Sequence, residues 1–217
     1  MAISIVDLRG ALPRVTGNDP YPLQQEKTSL TVHYQGVDVD LTLPDDRASL
    51  LIKSDALGHI RRDWGNGQGG GGVMYHEMIA PSGTVFITRD PDDYLWHCGS
   101  DFGNRHSRAI QVMCGPATPP TPAQLTALEA RIVAHGLPVK GHRDWSPTQC
   151  PGQEVYVFLQ GRGGVAVAGE QITREEFEAY KRAMRDTIEA MKAAYDPLVR
   201  HDHPLAATGR TGKAGES

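Results

Sequence analysis

The chain has 217 residues, of which 39% are hydrophobic and 22% charged, proportions that are typical of an ordinary folded domain. Its formal net charge of −4 leaves no basic surplus for holding a nucleic acid, so that class of partner is not expected. Since no run of about 18 apolar residues occurs, a membrane-spanning helix is not expected either. Cysteines at positions 98, 114 and 150 are too few and too widely spaced for a disulfide framework.

Residues 1–27 are predicted to form an N-terminal arm that lies on the surface of the domain. The segment is rich in residues that interrupt regular structure, among them Pro13, Pro20 and Pro22. Regular structure is therefore expected to begin after it. Asp7 and Pro13 also interrupt the apolar stretch that a secretory signal peptide would need, so no signal peptide is expected.

Two strands and a helix are predicted next. The segment SLTVH, residues 29–33, is β-rich and would place His33 at the end of a buried strand. Residues 37–43, VDVDLTL, alternate apolar with polar and predict a second, half-exposed strand. After a turn at Pro44, apolar residues recur at helical spacing, which predicts a first helix that ends at the glycine-rich stretch 65–72.

Three further strands are expected at residues 74–80, 85–88 and 109–114. A second helix is indicated by Thr121, Pro122 and the stop at Gly136, with Leu125, Leu128, Ile132 and Val133 on one face.

A short apolar strand, LPVK, should follow this helix. Thr173 and Glu176 then form a capping box for a third helix within a C-terminal hairpin and helix extension, residues 161–200, that packs on the same domain. A flexible tail is expected at 201–217. The interleaved elements predict an α/β fold with a single mixed central β-sheet flanked by helices.

The stretch GHRDWSPTQCPG, residues 141–152, carries His142 and Cys150 close together. Histidine and cysteinate are strong zinc donors, and a catalytic zinc site usually has three protein ligands and an open position. The prolines of the stretch should hold the loop rigid, as a metal site requires. The ordinary alternative is that His142 forms a hydrogen bond within a turn and Cys150 fills a pocket.

A third zinc donor would have to come from elsewhere in the chain. His33 is the best candidate, because a strand offers a rigid platform for an imidazole. The other histidines fit less well: His59 falls inside a helix, His135 sits at a helix end, and His201 and His203 lie in or near the predicted tail.

Taken in order, these motifs resemble the zinc amidase family that includes phage lysozyme-type amidases and peptidoglycan recognition proteins. The resemblance runs from about residue 29 to 152 and is carried by SLTVH, DWGNGQGGGGVMYHEMI, SGTVFITRD, LWHCGS, NRHSRAIQV and TPAQLTALEARIVAHGLPVKGHRDWSPTQCPG. It implies a catalytic domain over residues 28–160. It also implies hydrolysis of the amide bond between N-acetylmuramic acid and L-alanine in peptidoglycan.

The resemblance further implies that one zinc ion is held by His33, His142 and Cys150. Tyr75 would lie near the activated water, and Thr148 stands where the family has lysine or threonine. Either side chain could stabilise the oxyanion that develops during hydrolysis of an amide.

Glu77 and His97 are candidates for additional acid–base or substrate contacts. The ordinary alternative for His97 is a buried, hydrogen-bonded histidine, and for Tyr75 it is an aromatic residue of a strand.

By analogy with the family, we expect a compact phage or prophage endolysin that is made in the cytoplasm and acts on the cell wall after release. Its partner would be bacterial peptidoglycan, and a monomer is favoured. Two alternatives remain: a non-catalytic peptidoglycan-binding module of the same fold, and a zinc-stabilised structural or virion component.

Overall fold

The computed structural model describes residues 3–18, 26–63 and 69–162. The strands are β1 (Ile5–Asp7), β2 (Ser29–Tyr34), β3 (Glu77–Ile79), β4 (Val85–Ile87), β5 (Ser107–Val112) and β6 (Val139–Gly141). The α-helices are α1 (Asp45–Arg61), α2 (Asp101–His106), α3 (Pro122–His135) and α4 (Gln153–Gly161), with single 3₁₀ turns at Thr16–Asn18 and His142–Asp144. None of these described helices is both long and apolar enough to cross a membrane.

The six strands form one sheet in the order β1-β4-β3-β5-β2-β6. Only the β3–β4 pair is antiparallel, because a tight turn joins these strands; the other neighbours are parallel. In that turn Gly83 has a φ of +87° and its N–H donates to the Ala80 carbonyl. The predicted α/β fold with a mixed central sheet is confirmed.

The expectation that regular structure begins after residue 27 is wrong. β1 lies within the N-terminal arm and extends the sheet at its edge, with Ile5 in register with Val85 of β4. Backbone bonds from Val85 N to Ser4 O and from Leu8 N to Ile87 O flank the pairing. A three-residue strand among many chain-breaking residues leaves too short a pattern to be recognised in the sequence.

The two faces of the sheet carry separate apolar cores, because successive side chains of a strand point to opposite faces. One face presents residues such as Leu30, Val32 and Ile110 to α3 and α4. The other face presents Met78 and Phe86 to α1. Most of the residues that concern function lie on the α1 face.

Helix α1 forms as predicted, but small residues make most of its buried face. Ala48, Ile52 and Ala56 are buried, whereas Leu50 and Leu51 are 54% and 41% exposed. These three buried residues pack with Met78 and Phe86 of the sheet in one apolar cluster.

The predicted strand at residues 37–43 is wrong, because this segment forms an irregular loop. Asp38 Oδ1 accepts a hydrogen bond from Ala117 N at 2.8 Å, and Asp40 Oδ1 accepts one from Thr42 N at 2.9 Å. Such bonds between aspartate side chains and the backbone compete with strand pairing.

Helix α3 forms as predicted, with a capping box between Thr121 and Gln124 and a left-handed Gly136 after its last residue. Val133, which was expected on the apolar face, is 66% exposed. The sequence did not predict α2 or α4. The predicted third helix after Thr173 and the tail lie outside the described residues.

Candidate metal centre

Three predicted donors, His33, His142 and Cys150, converge in the structure. One ligand atom from each lies within 4.8 Å of the others. Strands β2 and β6 are parallel neighbours in which Val32 is paired with Gly141. The residue that follows each of them is a histidine, so the sheet register places the two imidazoles side by side, with their ring centroids 4.7 Å apart.

The loop between His142 and Cys150 folds back so that the cysteine meets the strand ends. Arg143 N donates to the Cys150 carbonyl at 3.0 Å, which closes the loop. A Cβ atom at Gly141 would lie 2.9 Å from the Tyr156 ring and 3.0 Å from Pro151, so only glycine fits where the loop leaves β6. These constraints position the sulfur.

The protonation states of His33 and Cys150 are compatible with binding a cation. Burial, together with the neighbouring His97 and His142, holds the pKa of His33 well below its usual value, so the ring is neutral and has a lone pair to offer. Its Nδ1 lies 3.6 Å from Cys150 Sγ. Burial raises the pKa of the Cys150 thiol to about 12, but a coordinating metal removes the proton from such a thiol.

This donor set fits a zinc ion. Two imidazole nitrogens and one sulfur gathered at one point are three protein ligands of a kind found in catalytic zinc sites, in which a fourth position stays open. Soft sulfur and borderline imidazole donors also favour zinc over magnesium or calcium, which prefer oxygen.

Tyr75 lies beside these donors, with its ring centroid 5.2 Å from that of His33. It lines a groove of about 450 Å³ together with His142, Trp96 and Arg62. Burial raises the pKa of Tyr75 far above its usual value, so the phenol keeps its proton and can donate a hydrogen bond.

His97 lies behind His33 and also reaches the groove. Its Nδ1 is 3.0 Å from His33 Nε2, and its Nε2 is 3.3 Å from Ser107 Oγ. It therefore contacts a donor residue directly, on the side of the ring opposite Cys150.

Thr148 is exposed, and its Oγ1 accepts a hydrogen bond from Cys150 N at 3.2 Å. It lines a separate cavity of about 330 Å³, to which Arg143 and Glu154 also contribute.

The structure does not bring Glu77 to the donors. Its side chain lies on the face of the sheet that carries α3, where Arg131 donates two hydrogen bonds of 2.7 Å to its carboxylate. His135 Nε2 lies 2.7 Å from the same carboxylate. Burial by itself would raise the pKa of Glu77, but these two partners outweigh it and lower the pKa to about 2.

The sequence predicts that His59 falls inside a helix, which makes it a poorer candidate than His33 for the third zinc donor. It is indeed in α1, but it lies near the C-terminal end, where it lines the groove with its ring centroid 6.0 Å from that of Tyr75. Its position just before the glycine-rich stretch was the one signal available, since helix ends at a sheet edge often border a cleft.

A family model described as N-acetylmuramoyl-L-alanine amidase matches residues 24–153. No curated protein matches the sequence significantly.

Several solved structures share the fold. An endolysin N-acetylmuramoyl-L-alanine amidase, LysCS from Clostridium intestinale URNW, superposes with a TM-score of 0.52 at 19% identity, covering 73% of this chain and 94% of that one. Drosophila PGRP-LB superposes with a TM-score of 0.59 at 18% identity, covering 75% and 95%. Peptidoglycan recognition protein-LE, solved in complex with tracheal cytotoxin, a monomeric diaminopimelic acid-type peptidoglycan, gives 0.59 at 19% identity, covering 74% and 94%.

Proposed function

The chain belongs to the N-acetylmuramoyl-L-alanine amidase family, and we propose on that premise that it is a zinc-dependent peptidoglycan hydrolase. It cleaves the amide bond between the lactyl group of N-acetylmuramic acid and L-alanine. The convergence of His33, His142 and Cys150 carries this proposal, because a family member that only binds peptidoglycan has no need of a complete set of three zinc donors.

In the proposed reaction His33, His142 and Cys150 hold one zinc ion, which when bound supplies a Lewis acid that activates water near neutral pH and polarises a carbonyl. The groove beside them holds the glycan–peptide junction so that the scissile carbonyl faces this point. Hydrolysis adds water across the C–N bond and yields a lactyl carboxylate and the free amine of L-alanine.

Tyr75 is proposed to stabilise the oxyanion that develops on the carbonyl. Its phenol is protonated and borders the donors, so it can donate a hydrogen bond that strengthens as negative charge grows on the oxygen. Thr148 accepts the Cys150 N–H and keeps its own hydroxyl proton, and we propose it as a second hydrogen-bond donor to the oxyanion.

The biological role that we propose is that of a phage or prophage endolysin acting on the bacterial cell wall as a monomer. An endolysin amidase among the similar structures supports this role. The complex of a similar fold with a peptidoglycan fragment supports a glycan–peptide ligand for the groove.

The test compares the full chain with Cys150→Ser and Cys114→Ser on purified bacterial cell wall. We expect about one zinc per chain in the wild type, with release of L-alanine amino ends detected by mass spectrometry of the digest. Cys150→Ser should lose both zinc and cleavage. Cys114→Ser changes a thiol that is also buried but lies outside the donor set, and should keep both.

Each outcome bears on one part of the proposal. Wall binding without new amino ends, in zinc-loaded protein, would identify a non-catalytic binding module. Zinc without either binding or cleavage would point to a structural or virion component. Equal behaviour of the two cysteine variants would overturn the ligand assignment.

A further inference from the structure

We infer that His97 is a positioning residue that fixes the tautomer of His33, so that Nδ1 of His33 is presented to the metal with its lone pair free. The inference deepens the proposed function and rests on it, since it takes His33 as a zinc ligand. It gives His97 a role different from a substrate or acid–base contact. A chain of hydrogen bonds leads from Trp145 through Thr31 and Ser107 to His97.

The chain begins at Trp145, whose indole N–H can only donate. It donates to Thr31 Oγ1 at 2.8 Å. The Thr31 hydroxyl then donates to Ser107 Oγ at 2.7 Å, and the Ser107 hydroxyl donates to the Gly103 carbonyl at 2.7 Å. Both hydroxyl groups are fully buried, so no exchange with bulk water disturbs this direction.

Ser107 has one hydroxyl proton, and the short bond to the Gly103 carbonyl uses it. Towards His97 Nε2, at 3.3 Å, Ser107 Oγ can therefore only accept. His97 must carry its proton on Nε2, and because a neutral imidazole has one donor and one acceptor, its Nδ1 is an acceptor.

The tautomer of His97 in turn determines that of His33. His97 Nδ1 accepts across a distance of 3.0 Å, so the proton of His33 lies on Nε2. Nδ1 of His33 is then unprotonated, and it is the nitrogen that faces Cys150 Sγ. The direction that the Gly103 carbonyl imposes on the Ser107 hydroxyl thus decides which nitrogen of His33 is free for a metal.

Fixing the tautomer in advance favours metal binding. A free imidazole exchanges its proton between two nitrogens and rotates, and a ligand must give up both freedoms on binding. Partners that hold the second ring nitrogen of a metal-bound histidine typically change metal affinity by 10- to 100-fold. Here the partner is another buried histidine, which is itself hydrogen-bonded to the buried hydroxyl group of Ser107.

The direct test is long-range ¹H–¹⁵N correlation NMR of the full chain with ¹⁵N-labelled histidine, recorded metal-free and with zinc. The signals are assigned by the variants that remove each ring. We expect His33 and His97 to be Nε2–H tautomers already in the metal-free protein, with zinc perturbing Nδ1 of His33. An Nδ1–H tautomer of His33 in the metal-free protein, or zinc on its Nε2, would overturn the inference.

Zinc affinity, measured by competition with a chromophoric chelator, gives a second readout. His97→Phe keeps the ring volume but removes the acceptor, and should weaken zinc binding about 10- to 100-fold. His97→Gln supplies a carbonyl acceptor and should restore affinity to within a few-fold of the wild type. His106→Phe, which removes a histidine that belongs neither to the donor set nor to the groove lining, is the matched control and should leave zinc affinity unchanged.

These results separate the inference from the proposed function. A wild-type chain that binds no zinc contradicts the proposed function, while the tautomers of the metal-free protein still test the hydrogen-bond chain. If the wild type binds zinc and is active, but His97→Phe and His97→Gln bind zinc with the same affinity, the inference alone is contradicted.

Discussion

Tyr75 is the side chain at which the proposed chemistry can be separated from metal binding. Its ring borders His33, and burial keeps its phenol protonated by raising its pKa. Tyr75→Phe removes one hydrogen-bond donor and nothing else from the groove. Loss of one such donor to a developing oxyanion typically lowers kcat by about 10²- to 10³-fold. We expect this loss in wall digestion, with zinc content and KM close to those of the wild type.

Tyr94→Phe is the matched control for this change. Tyr94 also donates a hydrogen bond from a buried phenol, at 2.7 Å to Asp101, but its ring is not among the groove-lining residues. It should retain wild-type kcat. If Tyr75→Phe also kept wild-type kcat in zinc-loaded protein, oxyanion stabilisation by Tyr75 would be ruled out.

The sequence located the donors better than their surroundings. His142 and Cys150 could be found because both lie in one short stretch with recognisable chemistry, and His33 because it ends an obvious strand. The hydrogen-bonded residues behind His97 could not be predicted from the sequence. Thr31 and Ser107 are 76 residues apart, and they meet only because β2 and β5 are paired.

At the scale of secondary-structure elements, the ion pair of Glu77 joins β3 to α3. It leads to a second prediction. Glu77 is 3% exposed, and its carboxylate accepts hydrogen bonds from Arg131 and His135. Its pKa falls from 4.5 to about 2 on folding, which corresponds to about 3 kcal/mol of stability at neutral pH. Because the folded pKa is the lower one, this stability is complete above pH 4.5 and is lost as pH falls through about 2.

Urea denaturation of Glu77→Gln should therefore show a free energy of unfolding about 3 kcal/mol below that of the wild type at pH 7. At pH 3 the difference should shrink to about half. Loss of zinc in acid affects both proteins alike and cancels in the difference. Glu129→Gln breaks the ion pair between Glu129 of α3 and Arg162. Because the Glu129 side chain is 43% exposed, this change should lower the free energy of unfolding by less than about 1 kcal/mol. A pH-independent difference would contradict the assignment.

Elements were predictable where their signals are local. Helix α3 has its cap, proline and final glycine within the segment itself, and it forms as predicted. Residues 37–43 show that alternation alone is not enough, because partners for Asp38 lie about 80 residues away, at Ala117 and Thr118. β1 likewise depends on the edge that β4 offers, which its own three residues cannot reveal.

The three donors of the candidate metal centre come from distant parts of the described fold. His33 comes from a central strand, whereas His142 and Cys150 belong to a loop more than 100 residues later. A metal held by all three would clamp that loop to the sheet edge. Since an ion that binds only the folded chain stabilises it by mass action, the proposed site should be visible in the stability of the whole domain.

Removal of zinc should therefore lower the Tm of the full chain. At free zinc about a thousandfold above Kd the stabilisation is about 4 kcal/mol, which for a domain of this size corresponds to about 10 °C. Scanning calorimetry with and without chelator measures the shift. Cys150→Ser should melt near the chelated wild type and respond little to zinc, whereas Cys114→Ser should keep the full response. Because the thiol must lose its proton to bind, the shift should shrink as pH falls below neutrality. A chelator shift of the same size in Cys150→Ser would mean that zinc stabilises the chain from somewhere else.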